Sequence, residues 1–106
     1  MSEYSPDKFV VVEFKTPTET ILKVIGSWYG GYTGSDSWRM NSGIESVSKV
    51  GKVYYFNGYS GSVYECHEDA YGMSLYTSGV YSGWEKTAKY PIRILSEDEV
   101  KVLVKE

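Results

Sequence analysis

The sequence has one cysteine, one histidine and no surplus of basic residues. A single cysteine excludes an intramolecular disulfide. The net charge of −3, from 11 Lys and Arg against 14 Asp and Glu, disfavours non-specific nucleic-acid binding, which requires cations that displace counterions. No apolar run approaches the ~18 residues of a membrane span, and the N-terminus lacks the pattern of a secretory signal. We therefore expect a cytoplasmic protein without membrane contact.

Leucine and alanine are also scarce, whereas tyrosine is abundant: the chain has 11 Tyr, 11 Gly, 3 Trp and 3 Phe among 106 residues. Aromatic and β-branched residues suit pleated sheets, so this composition favours β-structure over a helical bundle. A hydrophobic content of 42% is enough for one modest core. We expect one domain that spans residues 1–106.

Alternating and β-branched runs predict strands at residues 8–15, 21–29, 43–50, 52–58, 63–68 and 90–95. The first two strands form a hairpin around "TPTET", and their apolar residues on both faces indicate a central or barrel-like position. The predicted fold is a β-rich α+β domain: a single curled, mostly antiparallel sheet or small barrel of five to six strands, with a short C-terminal helix.

Three segments are harder to interpret. Residues 30–41 are long for a connection and predict a functional loop, while residues 69–88 contain three glycines and predict an irregular segment with one helical turn near 84–88. In the C-terminal segment, Ser96 and Glu99 match a capping box, although the valines from Val100 onward also alternate as in a strand. We favour the helix.

Reactive groups gather only in "YECHED", residues 64–69. Adjacent side chains on a strand point to opposite faces, so Cys66 and His67 cannot share a proton there, and the spacing of a metal site is missing. We expect Cys66 not to be a nucleophile, and we expect no enzyme activity, metal or cofactor. A hydrolase at this segment is the least favoured function.

The remaining indication of function is a set of short motifs that combine Tyr, a hydroxyl residue and Gly. These residue types are enriched in binding loops. These motifs are also consistent with ordinary Gly-rich turns. We expect Trp28 to anchor in the core and the 30–41 and 69–84 segments to lie together. The candidate contact residues are Tyr29, Tyr32, Trp38, Arg39, Tyr59, Tyr76 and Tyr81.

Among these candidates, adjacent Trp38 and Arg39 would provide an apolar anchor beside a planar cation. The alternative is that Trp38 closes the end of the core while Arg39 is solvated. Arg39 could also serve a phosphate, together with Gly amides and Ser or Thr hydroxyls.

The runs "GSWYGGYTGSDSWRMNSGI" and "YYFNGYSGSVYECHEDAYG" resemble small accessory proteins of T-even-type tailed phages, over roughly residues 26–83. This resemblance implies a protein of the host cytoplasm that binds and modulates a host or defence protein. Together with the aromatic loops, it favours a non-enzymatic binding module with a protein partner. The alternative is a protein that binds a small ligand or nucleotide, and an exposed Tyr-rich patch would also suit a homodimer.

Overall fold

The structure, a computed structural model, describes residues 3–29, 37–73 and 75–104, with the backbone alone at residues 75–77. Its strands are β1 (Glu3–Tyr4), β2 (Lys8–Lys15), β3 (Thr20–Trp28), β4 (Ser37–Met40), β5 (Ile44–Val50), β6 (Val53–Gly58), β7 (Val63–His67) and β8 (Ile92–Ile94). The helices are a 3₁₀ turn (Glu68–Ala70), α1 (Leu75–Thr87) and α2 (Glu97–Lys101).

The strands form two four-stranded sheets in the described part of the chain. The central sheet has the order β4-β3-β2-β8 and is antiparallel throughout. The outer sheet has the order β1-β7-β6-β5, in which the short β1 pairs with β7 in parallel. The β-rich α+β prediction is therefore confirmed.

The main core lies between the two sheets. Phe9, Val11 and Val24 of the central sheet share one buried cluster with Phe56 and Tyr64 of the outer sheet. Leu95 and Val100, from the C-terminal segment, join the same cluster. Alternation along β2 and β3 directs every second side chain to this face.

A second core covers the opposite face of the central sheet. Val10, Val12 and Ile25 pack there with Tyr81 of α1, and Trp84 of α1 lies against them. The continuous apolar run of β2 is thus buried on both faces, which confirms its predicted central position.

The single sheet or barrel predicted from sequence is replaced by two sheets with a helix packed on the central one. The physical reason is the apolar content of both faces of β2 and β3, which requires a separate cover on each side. The outer sheet covers one face and α1 the other. Five to six strands were expected. The described residues contain eight, because the short edge strands β1 and β4 were not predicted.

Two predicted irregular segments contain regular structure. Residues 37–40 of the expected loop are strand β4, which pairs with β3, while residues 30–36 lie outside the described residues. Residues 75–87 form the 13-residue helix α1 rather than one helical turn. None of the helices in the described ranges is long and apolar enough to cross a membrane.

The C-terminal helix is confirmed, together with its capping box. The Ser96 hydroxyl accepts a hydrogen bond from the Glu99 backbone N–H at 3.2 Å, and the Glu99 carboxylate accepts one from the Ser96 backbone N–H at 3.0 Å. Val100 faces the main core, and this contact favours the helix over the alternative strand.

Glu99 also receives two hydrogen bonds from the Arg93 guanidinium, at 2.9 and 2.7 Å. These bonds, and then the bond from Ser96, lower the pKa of Glu99 from 4.5 to about 2. Because the pKa is lower in the folded state, this contribution to stability is complete above pH 4.5 and is lost as the pH falls towards 2.

We therefore expect Glu99→Gln to lower the urea midpoint at pH 7 and to change it much less at pH 2. Urea unfolding of both proteins at the two pH values measures this difference. Glu97→Gln, on the same helix, is the control and should not reproduce the pattern. An equal effect of Glu99→Gln at both pH values would contradict the assignment.

Candidate functional site

The predicted contact residues occupy different environments. Tyr29 and Tyr59 are 52% and 68% exposed, which suits contact residues. Tyr32 and the Tyr76 side chain lie outside the described residues. Tyr81 is 8% exposed and belongs to the second core, so its ring is not presented at the surface. It is buried because it projects from α1 onto the central sheet.

Trp38 and Arg39 do not form the expected side-by-side pair. Both lie on β4, where consecutive side chains point to opposite faces of the sheet. Trp38 packs on the helix side, with its ring centroid 5.1 Å from that of Trp84 in an edge-on contact. Arg39 points to the other side, where it meets the outer sheet. The alternative prediction, that Trp38 closes the end of a core, describes its contacts better.

The contact between Trp38 and Trp84 brings together parts of two segments expected to be neighbours. Residues 37–41 and helix α1 are adjacent through this pair, and the rest of the 30–41 segment lies outside the described residues. Trp28 packs against the main core, as predicted, and its indole N–H donates to the Ser5 carbonyl at 3.1 Å.

Arg39 faces a cleft of about 400 Å³ where the edges of the two sheets meet, which we call the seam cleft. Its lining residues come from β1, β3, β4, β7 and two turns: Tyr4, Lys23, Arg39, Met40, Asn41, Ser42, Ser60, Ser62 and Tyr64. A neighbouring hollow of about 370 Å³ shares Ser42 with the seam cleft and has Tyr59 in its wall. The seam cleft is mainly polar, whereas Ile21, Leu22 and Ile44 give the neighbouring hollow a mixed character, with the exposed Tyr59 ring in its wall.

The Arg39 guanidinium is held by stacking on an aromatic ring. Its central carbon lies 4.7 Å from the centroid of Tyr4, and the Tyr4 ring is in turn 5.0 Å from that of Tyr64. Burial raises the pKa of Tyr64 to about 12, although the nearby Arg39 charge opposes this shift. Tyr64 therefore stays a neutral phenol at physiological pH, and the fixed charge beside it is that of Arg39.

Two hydrogen bonds from backbone N–H groups to side-chain oxygens hold the floor of the seam cleft in place. The Asn41 side-chain oxygen accepts a hydrogen bond from the Val24 N–H at 3.0 Å, and the Ser42 hydroxyl accepts one from the Ser60 N–H at 3.1 Å. These bonds hold the β4–β5 connection against both sheets. The buried Asn41 amide nitrogen has no hydrogen-bond partner among the described residues.

Tyr59 is positioned by Gly43. The backbone of Gly43 has φ of +140°, and a Cβ there would lie 3.0 Å from the Tyr59 ring. Any side chain at residue 43 would therefore be strained and would displace Tyr59. This packing keeps the exposed ring beside the cleft.

Tyr4, Asn41 and Tyr64 line this site but were not among the contact residues predicted from the sequence. Tyr4 precedes the first predicted strand, which begins at residue 8. Tyr64 lies in the "YECHED" segment, where only Cys66 and His67 were considered as candidate reactive groups. Tyr4 lies next to Arg39 only because β1 pairs with β7 at the edge of the outer sheet. No local pattern could have indicated this contact.

The "YECHED" segment separates its reactive groups, as the strand prediction requires. Cys66 is fully buried in the main core, whereas His67 is exposed. The His67 Nδ1 accepts a hydrogen bond from the Asp69 N–H at 3.2 Å and so caps the 3₁₀ turn. Among the residues that the structure describes, no group of three or more His, Cys, Asp or Glu could hold a metal ion.

We expect the Cys66 thiol to be unreactive in the folded protein. It has no exposed surface, and burial raises the pKa of the thiol above its usual value, so thiolate is scarce. Labelling with an aromatic disulfide reagent at pH 8 should be slow in buffer and rapid in 8 M urea, where the chain is unfolded. Rapid labelling of protein that keeps its native circular dichroism spectrum would contradict this expectation.

No protein-family model matches the chain, and neither the curated proteins nor the solved structures contain a match to it.

Proposed function

We propose that this protein is a non-enzymatic binding module that holds a partner protein in the seam cleft. The observation that carries this proposal is the Arg39 guanidinium, stacked on Tyr4 at 4.7 Å within an open polar cleft. A guanidinium held in place loses little freedom on binding and offers a planar fork to a carboxylate. The partner group is therefore an acidic side chain or a chain terminus.

The aromatic side chain next to the cleft supports a protein partner. Tyr59 is 68% exposed and lies in the hollow that adjoins the cleft at Ser42. Tyrosine and arginine are the residue types enriched at the centres of protein interfaces. The combination suits a partner segment with an acidic residue beside an apolar or aromatic one.

A second candidate function is the binding of a small anionic ligand, such as a nucleotide, in the same cleft. The observation that favours it is that three hydroxyl side chains, Ser42, Ser60 and Ser62, line the cleft together with Arg39. A guanidinium and several hydroxyls are suitable donors to a phosphate. A small ligand would raise the melting temperature in proportion to log concentration, whereas a protein-specific module would not respond to nucleotides.

The resemblance to phage accessory proteins extends the proposal. It suggests that the partner is a host or defence protein and that binding takes place in the host cytoplasm. The same proposal allows a homodimer, in which the exposed Tyr59 ring contacts a second copy of the chain. Analytical ultracentrifugation at micromolar concentration would detect such a dimer.

The test is capture from a bacterial lysate with the full chain, its Arg39→Ala variant and its Lys52→Ala variant as bait. Lys52 is an exposed cation in the turn between β5 and β6, and it serves as the matched control for loss of one positive charge. We expect one partner to be retained by the wild type and by Lys52→Ala, and to be lost with Arg39→Ala. Equal retention by all three baits would refute the cleft as the binding site.

A further inference from the structure

A second depression lies on the opposite side of the central sheet, and we call it the α1 groove. It has a volume of about 320 Å³ and forms where the end of α1 and the segment after it pass over β2 and β8. Its lining residues are Phe14, Lys15, Thr16, Trp84, Thr87, Ala88, Lys89, Tyr90 and Ile92. Its volume is at the lower end of the range for small-ligand sites.

The wall of the α1 groove is largely apolar. Phe14, Trp84 and Ile92 pack against the second core from one side and face the groove from the other. Tyr90 is 41% exposed and contributes a further ring. Water in such a groove makes few hydrogen bonds, so an apolar ligand that displaces it gains binding free energy.

The charge around the α1 groove has one sign. Lys89 lines it, and none of the described lining residues is acidic, although the whole chain has a net charge of −3. Lys15 also lines it, but its side chain alternates with that of Phe14 along β2, and its ammonium lies 3.8 Å from the Glu13 carboxylate on the opposite face of the sheet. The Lys89 ammonium lies 5.8 Å from the centroid of Tyr90, and the Lys23 ammonium lies 5.7 Å from that of Phe14. Two ammonium groups are thus placed over rings that line the groove.

We propose that the α1 groove binds a small amphiphilic anion, with an apolar body against Trp84 and Phe14 and one carboxylate near the ammonium groups of Lys89 and Lys23. Charge complementarity selects this ligand over a neutral one, because the charged groups that lie over the rings of the groove are both ammonium groups. The modest volume favours a small molecule over a protein segment. This proposal is independent of the seam cleft, since Arg39 lies on the other face of the sheet.

The probe is decanoate, used below its micelle-forming concentration with the full chain, and decanol is the neutral comparison. We expect titration calorimetry to detect decanoate binding and the tryptophan emission to change, because Trp84 lines the groove. The double variant Lys23→Met/Lys89→Met keeps the apolar stems and removes the charges. It should weaken decanoate binding about fivefold, since an exposed ion pair contributes up to about fivefold, and leave decanol unaffected.

Two blocking variants locate the site. Ala88 is exposed, directly follows α1 and lines the groove, so Ala88→Trp and Ala88→Leu should fill it without loss of a buried contact. Both variants should abolish binding of decanoate while their melting temperatures stay close to that of the wild type. Lys52→Met, on a distant turn, is the charge control and should bind normally.

Several results would overturn the proposal. They are the absence of decanoate binding, undiminished binding to the folded Ala88 variants, and equal binding to the double lysine variant. Binding of an acidic, leucine-containing peptide in the groove without any decanoate binding would assign the groove to a protein segment instead. Self-association that the Ala88 variants abolish, without decanoate binding, would assign it to a second copy of the chain.

Discussion

Phe9→Ala is expected to destabilise the protein by about 3–5 kcal/mol, the usual cost when a fully buried aromatic ring is removed. Phe9 is 1% exposed, and its ring centroid lies 5.1 Å from that of Tyr71, 5.7 Å from Phe56 and 6.1 Å from Tyr54. It therefore joins the central sheet to the outer sheet and to the segment that precedes α1. Small domains have a free energy of unfolding of only about 5–15 kcal/mol, so Phe9→Ala would remove a large part of it.

Urea unfolding followed by circular dichroism measures this effect. Phe14→Ala is the matched control, because it makes the same change on the same strand at a partly buried position. We expect it to cost roughly half as much, in proportion to the smaller apolar area removed from the core. A cost for Phe9→Ala no larger than that for Phe14→Ala would contradict the full burial of Phe9 between the two sheets.

Arg39→Ala is expected to weaken partner binding by about 2 kcal/mol or more, which corresponds to roughly a thirtyfold loss of affinity. The exposed side chain makes a stacking contact with Tyr4 that contributes only about 0.5–1 kcal/mol to stability, so the melting temperature should change little. Arg39→Lys keeps the charge and loses the planar fork, and it should bind with intermediate affinity. Thermal melting and titration with the captured partner measure the two quantities.

Trp38→Ala provides the contrast from the neighbouring position. Its ring packs on Trp84 and the second core, so its removal should lower stability by about 3 kcal/mol and leave the affinity of the folded fraction unchanged. The reverse result, a stable Trp38→Ala variant that no longer binds, would restore Trp38 to the contact surface. It would also remove the support for a site confined to the seam cleft.

Local sequence patterns were sufficient for most of the strands. The alternation and β-branched content of β2 and β3 predicted both their conformation and their burial on two faces. The capping box at Ser96 and Glu99 predicted the C-terminal helix, since both partners lie within one turn. Such features depend on residues close together in the chain, and the physical chemistry of a short segment is enough to determine them.

Tertiary contacts decided the rest. Helix α1 contains Gly79 and Gly83, which disfavour a helix by about 1 kcal/mol each relative to alanine, and it forms where Tyr81 and Trp84 cover the apolar face of the central sheet. The separation of Trp38 from Arg39 follows from the pairing of residues 37–40 with β3. The seam cleft depends on the contact between Tyr4 and Arg39, which belong to different sheets. The sequence by itself determined most of the strands and the C-terminal helix, while the packing of the two sheets determined which side chains line the seam cleft, because residues distant in the chain become neighbours only when the sheets pack.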